Sequence, residues 1–306
     1  MSTSSADAAL AEPGGAADAA VAVLWSGMGA HILLNEGSLQ RIGSKARSDG
    51  CRLRRRCGWY GSLAALLAFS TGGLAHGADS AWRDVESRIQ YGYYTEDSSA
   101  LRNLSETIAA GKVSDKMRGY YAGLLAWRQA QLAARGTAAA RSSAAELAHR
   151  CVTEVDNSLA LQSDFAEALA LRSACLAAPL EASGSRGPLT GYRARKDLDK
   201  ARQLAARNPR VMLVDAMSDY ELSPSAGGSK ERALPKLRQT VAAFEAERAG
   251  AEHLPGWGAA EAWTLLARDL LDHADPIGAR DALEHALLIA PEFAQARRLM
   301  AQITTG

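Results

Sequence analysis

Aromatic residues are scarce in this chain of 306 residues, at 6 %, with only four Phe. That scarcity, in an Ala-rich composition, argues against a β-sandwich or barrel and for helices packed closely through small side chains. An excess charge of either sign is also missing. Lys and Arg total 35 against 34 Asp and Glu. Residues 79–306 alone carry 28 basic and 29 acidic side chains, so nothing there funnels nucleic acid or an anionic membrane.

Catalytic signatures are missing as well. No Ser lies in Gly-x-Ser-x-Gly, and no His-Glu-x2-His or Cys-x2-Cys spacing occurs. Gly227-Gly228-Ser229-Lys230 departs from a phosphate loop, which needs Gly, four residues, then Gly-Lys-Ser/Thr after a strand. Asp269/His273 and Asp281/His285 are i,i+4 pairs, expected as solvated helix-surface pairs, and Glu221, Glu245, Glu247 and Glu252 as a solvated face. The expectation is a protein without enzymatic activity, metal site or cofactor.

The front of the chain reads as a separate stretch. Arg52, Arg54, Arg55 and Arg56 precede an uncharged run from Gly58 to Leu74, and Ala75-His76-Gly77-Ala78 follows. A basic flank, an apolar segment and small exit residues make residues 51–78 a signal peptide, cut after Gly77 or Ala78. The alternative is an uncleaved inner-membrane anchor, since the run has roughly the length of a bilayer span. Cys51 and Cys57 precede the apolar run, which excludes lipoprotein processing. Residues 1–50 are Ala/Gly/Ser-biased without period, either disordered or upstream of a true start near residue 50. The expected location is the periplasm.

Residues 79–306 are expected to form one helical domain. Trp263-x2-Leu266-Ala267-x2-Leu270 is followed by Ala279-x3-Leu283-x2-Ala286 and Pro291. Residues three and four apart share a helix face, so the alanines let two antiparallel helices nearly touch while Trp263 and Leu283 fill the gaps. Asp275-Pro276 supplies a cap and a first-turn proline. Echoes of the second-helix spacing begin at Cys151, Ala194 and Ala233, with Pro235 tolerable near a helix start. The four copies are 43, 39 and 46 residues apart. The excess falls in stretches that read as loops: Pro179 to Gly191, Ser223 to Ser229 and Ala249 to Gly258.

This pattern resembles the tetratricopeptide repeat, whose regular period is about 34 residues. Asn208-Pro209-Arg210-Val211, the Ser223 to Gly228 loop and Trp257-Gly258 also resemble segments of uncharacterised exported bacterial repeat proteins. The resemblance implies an all-α fold, a right-handed α-solenoid of antiparallel helical hairpins with about eleven helices, five hairpins and a closing solo helix. It also implies binding of a protein or peptide partner through the concave face.

On that arrangement Tyr120 and Trp127 face the groove from one helix, Met217 and Tyr220 from another, and Thr264 and Arg268 from the last. Aromatic side chains beside an Arg are the residues binding hot spots use. Tyr120, Trp127 and Tyr220 would serve equally as core between hairpins. The second functional reading is a solute- or lipid-binding accessory protein of a transport system. Cys151 and Cys175 lie about equally far before and after the turn at Asp164. With a helical rise of about 1.5 Å per residue, their Cα atoms are expected within the ~7 Å that a disulfide spans.

Overall fold

The computed structural model describes residues 72–110, 115–183, 188–248 and 254–305. All belong to one compact unit, Ser62–Gly306; the other unit, Met1–Gly61, lies outside the described residues. Among the described residues there are eleven α-helices: α1 Gly72–Tyr94, α2 Ser98–Ala110, α3 Lys116–Arg135, α4 Ala138–Leu161, α5 Ala166–Ser183, α6 Pro188–Leu204, α7 Pro209–Glu221, α8 Lys230–Arg248, α9 Ala259–Asp272, α10 Pro276–Ile289 and α11 Ala294–Thr305. A single turn of 3-10 helix, Pro224–Ala226, precedes α8. None of the helices is long and apolar enough to cross a membrane. Most of the expected signal segment, residues 51–71, lies outside the described part, and its last residues begin α1.

Local chemistry sets the helix starts. The side chains of Asp115, Thr137, Asn208 and Asp275 each accept a backbone N–H of the first turn. Pro209 and Pro276 stand directly behind the last two caps, where their missing N–H costs nothing. The turns between α1 and α2 and between α9 and α10 are tight enough to put Glu96 and Ala274 at φ 57°. Two expected loops are shorter than the spacing suggests. Helix α5 continues through Pro179 to Ser183, and Pro224–Ala226 is helical.

Consecutive helices pack as antiparallel hairpins through the small residues. Ala267, Ala279 and Ala286 are fully buried between α9 and α10, with Leu283 beside them. The tightest approach joins α3 to α4. A methyl group on Gly119 would sit 2.7 Å from the Glu154 carbonyl oxygen, and one on Gly123 would sit 2.4 Å from a Val155 methyl. Cys151 of α4 and Cys175 of α5 lie 6.1 Å apart at Cα, with their sulfurs bonded.

The first and last helices also meet. Phe293 packs 4.6 Å from the Tyr94 ring and 6.0 Å from the Tyr93 ring, centroid to centroid. Arg298 donates to both carboxylate oxygens of Glu96 at 2.9 and 2.6 Å, and Arg135 donates to Gln295 at 3.0 Å. The stack therefore bends until its N-terminal hairpin touches its C-terminal one. An open solenoid, in which each hairpin touches only its neighbours, would lack these contacts.

Candidate functional site

The bend encloses a cavity of about 370 Å³ lined from five helices. Helix α3 supplies Trp127, Arg128, Gln131 and Arg135, α7 supplies Leu213, Met217 and Glu221, and α9 supplies Glu261, Thr264, Leu265 and Arg268. Tyr93 of α1, Trp257 of the loop before α9, and Phe293 and Gln295 at the start of α11 complete it. The lining mixes aromatic and aliphatic side chains with three Arg and two Glu.

Four of the six residues nominated for partner contact meet here: Trp127, Met217, Thr264 and Arg268. They come from three different hairpins. Thr264 is nearly buried and spends its hydroxyl on the Ala260 carbonyl at 2.8 Å, so it contributes shape rather than a free polar group. Tyr120 does not reach the cavity. It is fully buried, and its hydroxyl accepts the Trp257 indole N–H at 2.7 Å, so Trp257 takes the groove position and Tyr120 supports it from beneath. Tyr220 stands outside the lining, with its ring 5.0 Å from the Arg268 guanidinium. Its hydroxyl donates to Asp272 at 2.9 Å. Burial first, and then that acidic acceptor, push the Tyr220 phenol up to about 12.

Arg128 was not nominated, yet it organises the site. Its guanidinium lies 4.2, 4.6 and 5.1 Å from the rings of Tyr93, Trp127 and Trp257, and its side chain is buried. It pairs with Glu261 and donates to Gln131 at 3.0 Å. Glu261 also accepts Gln90 at 2.9 Å and Tyr94 at 2.8 Å, both from α1. One carboxylate of α9 therefore ties α1 and α3 together. Burial and the neighbouring Glu261 hold the Tyr94 phenol protonated well above its usual range. The signal for Arg128 in the sequence was only its place beside Trp127; the partners on α1 and α9 are far away in the chain.

A second carboxylate, buried, ties α1 to α3 and to the loop before α9. Glu86 of α1 accepts the Tyr121 hydroxyl at 2.7 Å and the Gly256 N–H at 2.8 and 3.0 Å. Burial raises its pKa, partly offset by those hydrogen bonds. Gly258, at φ 114°, then turns the loop into α9, with the space for any Cβ already taken by the Phe244 ring.

Of the two Asp/His pairs, Asp281 is exposed as its spacing suggested, and Asp269 is not. Asp269 is fully buried 3.3 Å from His273 Nδ1, and its burial raises its pKa. His285 stacks on Trp263 at 4.3 Å. Glu247 pairs with buried Arg210 at 2.6 Å, leaving the expected solvated face for an interior partner. Among the described residues no group of three or more His, Cys, Asp or Glu is placed to hold a metal ion. The cavity has the means to cover an apolar group and to meet polar or charged ones.

No family model and no curated protein matches the chain. Among solved structures it is similar to the HusA haemophore from Porphyromonas gingivalis, at 24 % identity and TM-score 0.51, over 64 % of this chain and 93 % of that one. It is also similar to a thermophilic TPR protein of Thermus thermophilus, at 16 % identity and TM-score 0.49, over 73 % of this chain and 98 % of that one. At these identities the likeness is one of fold. That fold is all-helical, a succession of antiparallel helical hairpins.

Proposed function

We propose that this protein is an exported binding protein that holds a peptide segment of a protein partner in the cavity between α3, α7 and α9. The observation that carries the reading is the convergence of Trp127, Met217, Thr264 and Arg268 from three hairpins onto one cavity, beside the Trp257 ring. A mixed lining of aromatic, aliphatic, Arg and Glu side chains suits a peptide. Its side chains need apolar cover while its backbone and charges need polar partners. Export to the periplasm is supported by the signal-like residues 51–78 and by the bonded pair Cys151 and Cys175, since disulfides persist in oxidising compartments.

Selection from a random peptide library on the purified protein tests the binding reading. Enriched peptides should lose about tenfold or more in affinity to the Met217→Arg variant, which fills the cavity with a charge, while its melting temperature stays near wild type. Peptides indifferent to that substitution would overturn the assignment. A solute in the same cavity is the second reading, and titration with haemin separates it. A saturating Soret shift that Met217→Arg abolishes, with no peptide enriched, would replace the peptide reading. Mass spectrometry of the mature protein tests export: the first residue should be 78 or 79, and recovery of peptides from residues 1–50 would contradict it.

A further inference from the structure

A separate groove of about 650 Å³ runs between α4 and α6 over α5 and shares no residue with the cavity described above. Its two sides run parallel. Arg193 of α6 donates to Asp156 of α4 at 3.2 Å, and seven residues further on Lys200 donates to the Ser163 carbonyl at 2.9 Å. The floor is apolar, with Leu159 and Ala160 from α4 and Leu169 from α5.

The rim carries Arg172, Arg193, Lys196 and Lys200 against only two carboxylates, Asp156 and Asp197. Both carboxylates are already engaged by Arg172, which donates to Asp156 at 2.6 Å and to the two oxygens of Asp197 at 2.7 Å. Lys200 holds only a neutral carbonyl, and Lys196 has no partner among the described residues. Arg193, Lys196 and Lys200, three and four positions apart, share one exposed helix face. Tyr192 stands beside them with 67 % of its surface in solvent. The chain as a whole is almost neutral, so this cationic excess is local.

We propose that this groove is a second binding site, for an extended acidic peptide segment in which carboxylates alternate with aliphatic or aromatic residues. The stretch of α6 from Tyr192 to Lys200 is about 12 Å long, enough to lie along about four extended residues. Successive side chains of an extended segment point to opposite sides. Apolar residues then reach the floor at Leu159 and Leu169, and the intervening carboxylates rise to Lys196, Lys200 and Arg193 as charge-assisted hydrogen bonds. Tyr192 supplies a rigid flat contact at one end. A recessed apolar floor between two cation-bearing walls favours a chain that enters it over a flat anionic bilayer, which would meet only the rim.

Fluorescence anisotropy of the full chain tests the site with a labelled peptide of alternating aspartate and leucine and its counterpart of alternating asparagine and leucine. The aspartate peptide should saturate, and its affinity should fall as salt rises. It should lose about tenfold or more in affinity to a Lys196→Glu, Lys200→Glu double variant, whose two substitutions are on the surface and leave the thermal melt unchanged. The Tyr192→Ala variant should weaken binding without altering the salt slope. Arg280→Glu, an exposed charge on α10, and Met217→Arg, in the other cavity, should bind as wild type, which separates failure of this site from failure of the first. Equal binding of both peptides, wild-type binding by the double variant, or no saturation below about 1 mM would each overturn the proposal. So would binding of phosphatidylglycerol vesicles or inorganic phosphate in place of the peptide.

Discussion

Glu261 shows how much one side chain carries here. It neutralises a guanidinium that three aromatic rings enclose and accepts two further donors from α1. Removing one partner of a buried ion pair leaves the other charge desolvated, at a cost of about 3 kcal/mol or more. Glu261→Ala should therefore lower stability by about that amount in a urea melt. Glu261→Gln, which keeps the hydrogen bonds but not the charge, should fall between. A loss under about 1 kcal/mol would mean that Arg128 finds water. Glu86 makes a pH-dependent prediction. Its folded pKa is raised above 4.5, so its contribution to stability is complete below that value and fades as the pH climbs through the folded pKa. Glu86→Gln stays neutral and can still accept the Gly256 N–H. The stability of wild type relative to this variant should then fall from about pH 4.5 upward in melts taken across the acid range. A constant difference would place the Glu86 carboxylate in contact with solvent.

At the scale of single helices the sequence was most readable where small residues recur. The period of Ala267, Ala279 and Ala286 located the α9–α10 hairpin, and Asp275-Pro276 its turn, because both follow from contacts within about twenty residues. The loops were less readable, since Gly and Pro mark where a helix can stop, and Pro179 and Pro224 lie inside helical segments instead. Gly119 and Gly123 of α3 have their reason in the close approach of α4. Each would gain helix propensity as Ala, by about 1 kcal/mol. At Gly123, however, the added methyl meets a Val155 methyl at 2.4 Å with the Cys151 carbonyl oxygen behind it. Overpacking of that kind costs about 1–3 kcal/mol, so Gly123→Ala should be destabilising despite the propensity gain. The pairing Gly123→Ala with Val155→Ala should recover part of the loss, and a stabilised single variant would show that α3 and α4 can separate freely.

The whole molecule departs most from what the pattern along the chain implied. Repeat spacing predicts neighbour contacts, and the nominated groove residues followed from it. Trp127, Met217, Thr264 and Arg268 did converge, because a first helix in each hairpin offers the same face. Spacing cannot predict that Tyr93 and Tyr94 meet Phe293, since the contact depends on total curvature accumulated over all the hairpins. That closure supplies Tyr93, Phe293 and Gln295 to the cavity, so the size of the site depends on the meeting of the two ends and not on any single repeat. If the closure has energetic weight, Phe293→Ala should do more than fray the last hairpin. Truncating a buried Phe costs about 3 kcal/mol or more. Its effect should then appear at both ends of the chain: hydrogen exchange should quicken in α11 and also in the last turn of α1, around Tyr93 and Tyr94. An open stack of independent neighbours predicts faster exchange in α10 and α11 alone. The same variant should weaken any ligand of the cavity while leaving the groove between α4 and α6 unaffected, because only the first of the two sites is completed by the meeting of the ends.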